Sequence, residues 1–244
     1  RGRTVREILK DLFLGVKEAR REYTLHRLMT VLERLSEAVH FAHEKGVLHR
    51  DLKPDNVMLG EYGEVHVMDW GLAKVGAAAD EEQGTGLVST AQTESGRHTR
   101  AGAIQGTVPY MSPEQAQGLP LDRRSDVHAL GAILYEILTL RQVFEGQGDD
   151  LIRRVRLGEF PAVETRNLQR PVPEALAVLC RRAMSTDPAG RPATARDFAD
   201  ELRAFLDGRA EKERRHREAE ALAAAGRAAM AVHVTARKAV DAAE

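Results

Sequence analysis

Apolar residues recur at helical spacing in the first part of the chain. Thr4 is a suitable N-cap, and the residues that follow it, VREILKDLFL, place apolar side chains on one face. A longer amphipathic helix is predicted over residues 23–44, and Gly46 suits its C-terminal cap. The side chains predicted to be buried in these helices are Val5, Ile8, Leu9 and Leu12 in the first, and Leu28, Val31, Leu32, Leu35, Val39 and Ala42 in the second.

Two short apolar runs flank a polar loop. Residues 47–48 and 57–59 are too short for helices and rich in branched side chains, which predicts buried strands. Residues 64–68 alternate between polar and apolar side chains, as a half-buried strand does. We therefore expect the loop between the first two strands to be held rigidly at both ends.

The second half of the chain is mostly helical by the same criterion. After Ser125, the sequence DVHALGAILYEILTL is apolar on nearly every face, as the central helix of a domain would be. Two further helices, over residues 173–184 and 193–206, are predicted to close the domain.

Two segments lack a hydrophobic period. Residues 75–105 are rich in Gly, Ser, Thr and Ala, which predicts a mobile loop, and a mere disordered insert is an alternative for residues 77–95. Residues 208–244 contain a charge run and then many alanines, so we expect a helical tail. A solvated linker is the first interpretation of this tail, with a coiled coil or a juxtamembrane segment as alternatives, because its heptad pattern is weak.

Composition excludes some classes of function. The 244 residues, 43% of them hydrophobic and 30% charged, suffice for one core and an appendage. A net charge of −1 gives no reason to expect nucleic acid as a partner, and no apolar run reaches the length of about 18 residues that suggests a membrane span. Cys180 lies in a periodic apolar run and is predicted to be a core residue.

The chain starts with Arg1 and has no secretory signal, so we expect a cytoplasmic fragment whose full-length form can be membrane-anchored beyond Glu244.

The polar loop carries groups that suit phosphoryl transfer. This reaction needs a carboxylate to receive the hydroxyl proton, an ammonium group near the moving phosphoryl group, and oxygen ligands for magnesium. Asp51 can be the carboxylate and Lys53 the ammonium group. Asn56 and Asp69 can be ligands, since magnesium prefers hard oxygen atoms in octahedral geometry.

These residues belong to motifs that occur in a known order. HRDLKPDN at residues 49–56 resembles the catalytic loop of the protein-kinase superfamily, DWG at 69–71 resembles its DFG motif, and SPE at 112–114 resembles its APE motif. The similarity extends to about residue 207, through residues 106–107, 125–131 and 187–192.

Two residues place the chain within that superfamily. Lys53, two residues after Asp51, together with Thr107 ahead of the SPE motif, is the serine/threonine-kinase arrangement. The chain therefore resembles the bacterial eukaryotic-like Ser/Thr kinases. This resemblance implies transfer of the γ-phosphoryl group of ATP to Ser or Thr hydroxyls of protein substrates, with Mg²⁺ or Mn²⁺ as the metal.

The resemblance also implies the fold. We expect an α+β, protein-kinase-like fold, with a mostly helical C-terminal lobe and short β hairpins over residues 1–207, and a separate tail over 208–244. The catalytic loop is residues 49–56 and the activation segment is residues 69–114.

A complete kinase also needs a glycine-rich loop, a strand lysine and a helix glutamate, and none of these precedes the catalytic loop here. We therefore expect the N-terminal lobe to be absent and this chain to be inactive by itself.

Roles for single residues follow from their positions in the resemblance. The predicted catalytic residues are Asp51, Lys53 and Thr107; the predicted cofactor-binding residues are Lys53, Asn56, Met58 and Asp69, of which Asn56 and Asp69 hold the metal. The predicted structural residues are His49, Trp70, Glu114, Asp126 and Arg191. The predicted regulatory residues are Arg50 and Thr99, which we expect to pair once Thr99 is phosphorylated. The alternative is that Thr99 is simply a solvated loop residue.

Three of these predictions concern contacts. Trp70, in place of the usual Phe, should pack against His49 and against the helix of the missing lobe, and its indole N–H needs a partner if it is buried. Asp126 should accept backbone N–H groups of the catalytic loop. Glu114 and Arg191 should form a bidentate pair.

Two other classes of function are alternatives. A pseudokinase or scaffold would explain the missing lobe, but Asp51, Lys53, Asn56 and Asp69 are all intact. A small-molecule phosphotransferase would share the fold, but the SPE motif argues against it. Self-association through the tail is a further expectation.

Overall fold

The first helix begins where the sequence supplies a complete cap. In a computed structural model, α1 spans Val5–Phe13, and the Thr4 hydroxyl accepts a hydrogen bond from the backbone N–H of Glu7. The Glu7 carboxylate in turn accepts from the backbone N–H of Thr4, which completes a capping box. The four apolar residues predicted for this helix are buried, so the prediction is confirmed.

The structure describes residues 2–70, 74–75, 108–166, 171–211, 214–215 and 220. Contacts divide the chain into two units, Arg1–Arg203 and Ala204–Glu244. In the second unit, residues 204–211, 214–215 and 220 are helical. All the geometry below belongs to the first unit.

The first unit is mostly helical. After α1, the helices are α2 (Lys17–Glu22), α3 (Leu25–Glu44), α4 (Pro113–Gln117), α5 (Arg123–Thr139), α6 (Gly148–Leu157), α7 (Val163–Arg166), α8 (Glu174–Ala183) and α9, which begins at residue 195. Short 3₁₀ turns lie at Pro54–Asn56, Val108–Tyr110 and Pro188–Gly190. Among the described residues, no helix combines the length and the apolar character that a membrane span needs.

Helix α3 matches the second predicted amphipathic helix closely. Thr24 caps it by accepting from the backbone N–H of Arg27, and Gly46 lies just beyond its end with a φ of 74°. This left-handed conformation suits glycine, because it has no Cβ to clash. Ala42 is only half-buried, whereas the other predicted residues of the stripe are buried.

Among the residues that the structure describes, five short strands form two antiparallel sheets. β1 (Arg3–Thr4), β3 (Val57–Leu59) and β4 (Val65–Val67) make a three-stranded sheet in the order β1-β3-β4. β2 (Val47–Leu48) pairs with β5 (Lys74–Val75), so that Val47 faces Val75 and Leu48 faces Lys74. The three predicted strands are therefore present, and β1 and β5 are additional.

One burial prediction for the strands is wrong. Val57 and Leu59 are buried as expected, but Val47 and Leu48 are only half-buried. Among the described residues β2 pairs with a single strand, β5, whereas β3 lies between β1 and β4 and is covered along both edges.

Helix α5 lies at the centre of the first unit. Every residue from Ser125 to Thr139 is buried, as a sequence that is apolar on nearly every face predicts. A Cβ added to Gly131 would lie 2.8 Å from the Cβ of Ala183 in α8, so glycine allows these helices to approach closely. Cys180 is buried with its Sγ atom 3.7 Å from the main-chain oxygen of Gly131, so it is a core residue as predicted. This burial raises the pKa of its thiol to about 12.

Candidate active site

A buried carboxylate binds the backbone of the polar loop over residues 49–56. Asp126, on α5, accepts hydrogen bonds from the backbone N–H groups of His49 and Arg50, both at 2.9 Å. Nε2 of His43 lies 2.7 Å from the same carboxylate, which is 2% exposed. Because a buried charge is costly unless it is hydrogen-bonded, these contacts explain why an aspartate is tolerated in this helix. They are the contacts that the sequence predicts for Asp126.

Asp51 lies at the centre of the loop with two polar partners. Nζ of Lys53 is 2.6 Å from Oδ2 of Asp51, and Nδ2 of Asn56 is 3.2 Å from the same oxygen. The side chain is nearly buried, and its other oxygen, Oδ1, has no hydrogen-bond partner among the described residues. A buried carboxylate oxygen without a donor is suited to accept a hydrogen bond from a bound hydroxyl group.

The side-chain amide nitrogen of Asn56 is engaged in hydrogen bonds, so its side-chain oxygen is the atom that could bind a cation. Its amide nitrogen donates to the main-chain oxygen of Asp51 at 2.9 Å as well as to the carboxylate. Its own main-chain oxygen accepts from the backbone N–H of Met68 at 2.8 Å, which brings the chain before Asp69 beside Asn56. An amide oxygen and a carboxylate on neighbouring segments are the hard oxygen donors that magnesium prefers.

Asp69 leaves β4 in an unusual backbone conformation. Its φ is 60°, in the left-handed region, and its side chain is exposed. Nε2 of His49 lies 3.0 Å from the main-chain oxygen of Met68, just before Asp69, which fixes the approach of this segment to the loop. The two segments that carry the predicted metal ligands are therefore joined by direct hydrogen bonds.

Trp70 packs as its position predicts. Its ring centroid lies 4.6 Å from that of His49, with the two planes tilted by 54°. The indole N–H donates to the main-chain oxygen of Val67 at 3.0 Å, so the polar atom has the partner it needs.

Glu114 and Arg191 form the predicted bidentate pair. The two nitrogen-to-oxygen distances are 2.6 and 2.8 Å, and the Arg191 side chain is fully buried. Ser125 also donates to the Glu114 carboxylate at 2.7 Å. Burial by itself would raise the pKa of this carboxyl group, but the hydrogen bonds from Arg191 and Ser125 outweigh it and lower the pKa to about 2. Glu114 therefore stays ionised inside the protein.

A second ionic cluster, which is partly buried, was not predicted from the sequence. Arg6, on α1, donates to Glu136 on α5 and to the hydroxyl of Tyr110, and that hydroxyl donates to Glu136. The Nε atom of Arg6 also lies 3.1 Å from the carboxylate of Asp55 in the loop. Burial and the nearby Glu136 carboxylate raise the pKa of Tyr110, so its hydroxyl remains protonated. No spacing in the sequence connects these residues, because Arg6 and Tyr110 are 104 positions apart.

The remaining predicted site residues differ in how far the structure describes them. Met58 is half-buried in β3, between Thr4 of β1 and His66 of β4. Arg50 has a φ of 69°, and its buried Nε has no hydrogen-bond partner among the described residues. Thr107 and Thr99 lie outside the described residues.

Comparison with known proteins gives a consistent result. The family model described as the protein kinase domain matches residues 5–214. The serine/threonine-protein kinase PknD of Protochlamydia amoebophila is 35% identical over 215 residues, which covers 86% of this chain and 22% of that protein. The serine/threonine-protein kinase pkn3 of Myxococcus xanthus is 39% identical over 204 residues, covering 80% and 34%. A probable serine/threonine-protein kinase PknB of Bifidobacterium longum is 32% identical over 208 residues, covering 85% and 27%. The chain thus spans between 22% and 34% of the length of these relatives.

Proposed function

Because the chain belongs to the protein kinase family, we propose that it transfers the γ-phosphoryl group of ATP to serine and threonine hydroxyls of proteins. The observation that carries this proposal is the arrangement around Asp51. Its carboxylate is oriented by Lys53 and Asn56 through one oxygen, while the other oxygen is buried with no hydrogen-bond donor among the described residues. A substrate hydroxyl supplies the missing donor, and Asp51 then accepts its proton during transfer.

The other loop residues have complementary roles in this proposal. Lys53 places positive charge beside the carboxylate, where the phosphoryl group would pass, and Thr107 is assigned to the same site from its sequence position. Asn56 and Asp69 would hold Mg²⁺, or Mn²⁺, through their side-chain oxygens, and Met58 would contact the nucleotide. When bound, the metal neutralises charge on the phosphate oxygens of ATP. The donor set fits such an ion, since both groups are hard oxygen ligands.

We propose that residues 1–207 supply the C-terminal lobe of the kinase and that residues 208–244 form a helical tail or linker. The sequence ahead of the catalytic loop contains neither a glycine-rich loop nor its strand lysine. These groups cradle and orient the phosphates of ATP. Residues 1–244 alone should therefore be unable to transfer phosphate, and self-association through the tail is a further part of the proposal.

Activity of the intact protein, as its gene encodes it, tests the function. We expect it to phosphorylate Ser or Thr in a generic protein substrate with ATP and Mg²⁺, while isolated residues 1–244 show no transfer above the level of a blank. The measurement is radiolabel incorporation followed by phosphoamino-acid analysis. Activity of the isolated chain would show that the missing groups are not needed. An inactive intact protein that still binds a kinase partner would favour the scaffold interpretation.

We also propose a regulatory contact between Arg50 and Thr99. The Nε atom of Arg50 is buried and has no acceptor among the described residues, so this donor lacks the anionic partner that a phosphate would supply. Phosphorylation of Thr99 would supply about −1.5 to −2 charges and several acceptor oxygens. The pairing would order the activation segment beside the catalytic loop.

Mass spectrometry of the intact protein incubated with ATP and Mg²⁺ is expected to find phosphate on Thr99 before its neighbours. The competing sites are Ser89, Thr90, Thr93 and Ser95. Thr99→Ala should lower activity toward an external substrate, and Thr90→Ala is the matched control that should not. Full activity with no phosphate between residues 88 and 104 would refute the regulatory contact.

A further inference from the structure

The backbone of Arg50 has a conformation that is unfavourable for a residue with a Cβ atom. Its φ of 69° lies in the left-handed region, where the Cβ atom of an L-residue crowds the backbone oxygen. Arg50 immediately precedes Asp51, so this conformation determines the direction in which the Asp51 side chain leaves the loop. A strained conformation of this kind persists only where surrounding contacts fix it.

Side chains hold the N–H and carbonyl groups of Arg50 and the N–H group of Asp51. Asp126 accepts from the N–H group of Arg50 at 2.9 Å. Gln115, on α4, donates from its amide nitrogen to the main-chain oxygen of Arg50 at 2.7 Å. The next N–H group, that of Asp51, lies 3.3 Å from Nδ1 of His49. The peptide group between Arg50 and Asp51 is thus held at its oxygen by Gln115 and at its nitrogen by His49.

The side-chain amide of Gln115 accepts one hydrogen bond and donates another. Its oxygen accepts from the backbone N–H of Ser112 at 3.0 Å, while its nitrogen donates to Arg50. The first bond belongs to the capping box of α4, in which the hydroxyl of Ser112 accepts from the backbone N–H of Gln115 at 3.3 Å. The network therefore fixes which end of the amide points to Arg50.

Only an amide side chain meets both requirements at this position. A glutamate of the same length can accept from Ser112 but offers no donor to Arg50 when it is ionised. A methionine of similar size can make neither bond well. Substitutions at Gln115 can therefore separate the bond that caps α4 from the bond that holds the loop.

From these contacts we propose that Gln115 is a positioning residue for phosphoryl transfer. It clamps the carbonyl group of Arg50 and so sets the orientation of the Asp51 carboxylate. Because α4 follows the buried turn Val108–Tyr110 by only two residues, the clamp also links the end of the activation segment to the loop that carries the proton acceptor. This inference rests on the proposed kinase function and adds a residue to it.

The test compares Gln115→Glu, Gln115→Met and the control Gln117→Glu in the intact protein. Gln117 is a matched control because it lies on the same helix and is exposed, and its side chain donates to the main-chain oxygen of Pro113 in its own helix, with no bond to the catalytic loop among the described residues. We expect Gln115→Glu to lower kcat at least about tenfold with an unchanged KM for ATP, because a misplaced catalytic group loses much of its advantage. Gln115→Met should lower kcat similarly, and Gln117→Glu should match the unsubstituted protein.

Hydrogen exchange provides a readout that does not depend on activity. Peptides covering residues 47–53 should exchange faster in Gln115→Glu than in Gln117→Glu, at equal thermal midpoints, because Gln115→Glu keeps the capping bond. If exchange and kcat of Gln115→Glu both match the control, the clamp is not needed and the inference is wrong. If the unsubstituted protein is inactive, the proposed function fails, and the exchange comparison still decides whether Gln115 holds the loop.

Discussion

Replacing Asp51 with asparagine is expected to lower the kcat of phosphoryl transfer by about 10²–10⁴-fold, the usual contribution of a positioned proton acceptor. Asparagine has the same shape, but its amide cannot take the proton of a substrate hydroxyl. The loop should keep its structure, because Asn56 also bonds the main-chain oxygen of residue 51, at 2.9 Å. The loss should therefore appear in kcat and not in the thermal midpoint.

Asp149→Asn is the control for this substitution. Asp149 is an exposed residue in the first turn of α6, so the same chemical change there should leave kcat unaltered. Both variants are to be assayed in the intact protein with ATP, Mg²⁺ and a protein substrate. Near-normal turnover by Asp51→Asn would remove Asp51 from the proposed mechanism.

The second large effect concerns stability. Arg191→Ala should destabilise the first unit by about 3–5 kcal/mol, since removing one partner of a buried ion pair leaves the other charge without compensation. Arg191 donates both to the Glu114 carboxylate and to the main-chain oxygens of Arg124, Ser185 and Thr186. The substitution therefore leaves the buried Glu114 carboxylate without its charged partner and also removes the donors to three partly buried or exposed main-chain oxygens. Denaturant unfolding of the intact protein, followed by circular dichroism, measures the change.

An exposed ion pair provides the comparison. Arg182 bonds Glu201 at 2.9 Å, but the two side chains are 47% and 38% exposed. Arg182→Ala should cost less than about 1 kcal/mol, as surface pairs usually do. Equal costs for the two substitutions would mean that burial of the Glu114–Arg191 pair has no energetic consequence.

The pair also has a defined dependence on pH. The pKa of Glu114 is about 2 in the folded protein and lies below its ordinary value of 4.5. A depressed carboxyl pKa contributes stability that is fully present above the unfolded value and is lost as the pH falls from 4.5 toward 2. The stability difference between the protein and its Arg191→Ala variant should therefore shrink over that range.

Local patterns in the sequence predict much of the fold. The caps and stripes of α1 and α3, the three strands around the loop, and the largely apolar α5 all follow from residue spacing and agree with the structure. Helix α6 was missed because only Leu151 and Val155 are buried in a mostly charged segment. Helices α2, α4 and α7 have six residues or fewer, and this is too short for a hydrophobic period to show.

The sequence predicts only part of the site. Some of its contacts join residues that are close in sequence, and others join residues that are far apart. Asp51, Lys53 and Asn56 lie within six positions, so their chemistry is visible in the sequence. The pairing of Glu114 with Arg191 spans 77 positions and was expected only from the family resemblance. No pattern in a single sequence reveals the cluster of Arg6, Tyr110 and Glu136 or the clamp by Gln115, since Arg6 is 104 positions from Tyr110 and Gln115 is 65 positions from Arg50.

The left-handed backbone at Asp69 restricts which residues can replace it during evolution. Aspartate and asparagine adopt positive φ far more readily than most residues with a Cβ atom, and both carry a side-chain oxygen. Backbone conformation and proposed metal binding therefore favour the same two residue types, while glycine would satisfy only the first. Asp69→Ala would combine loss of the carboxylate with a conformational penalty of about 1–2 kcal/mol. Asp69→Asn separates the two effects, because it removes the charge and keeps the conformation accessible.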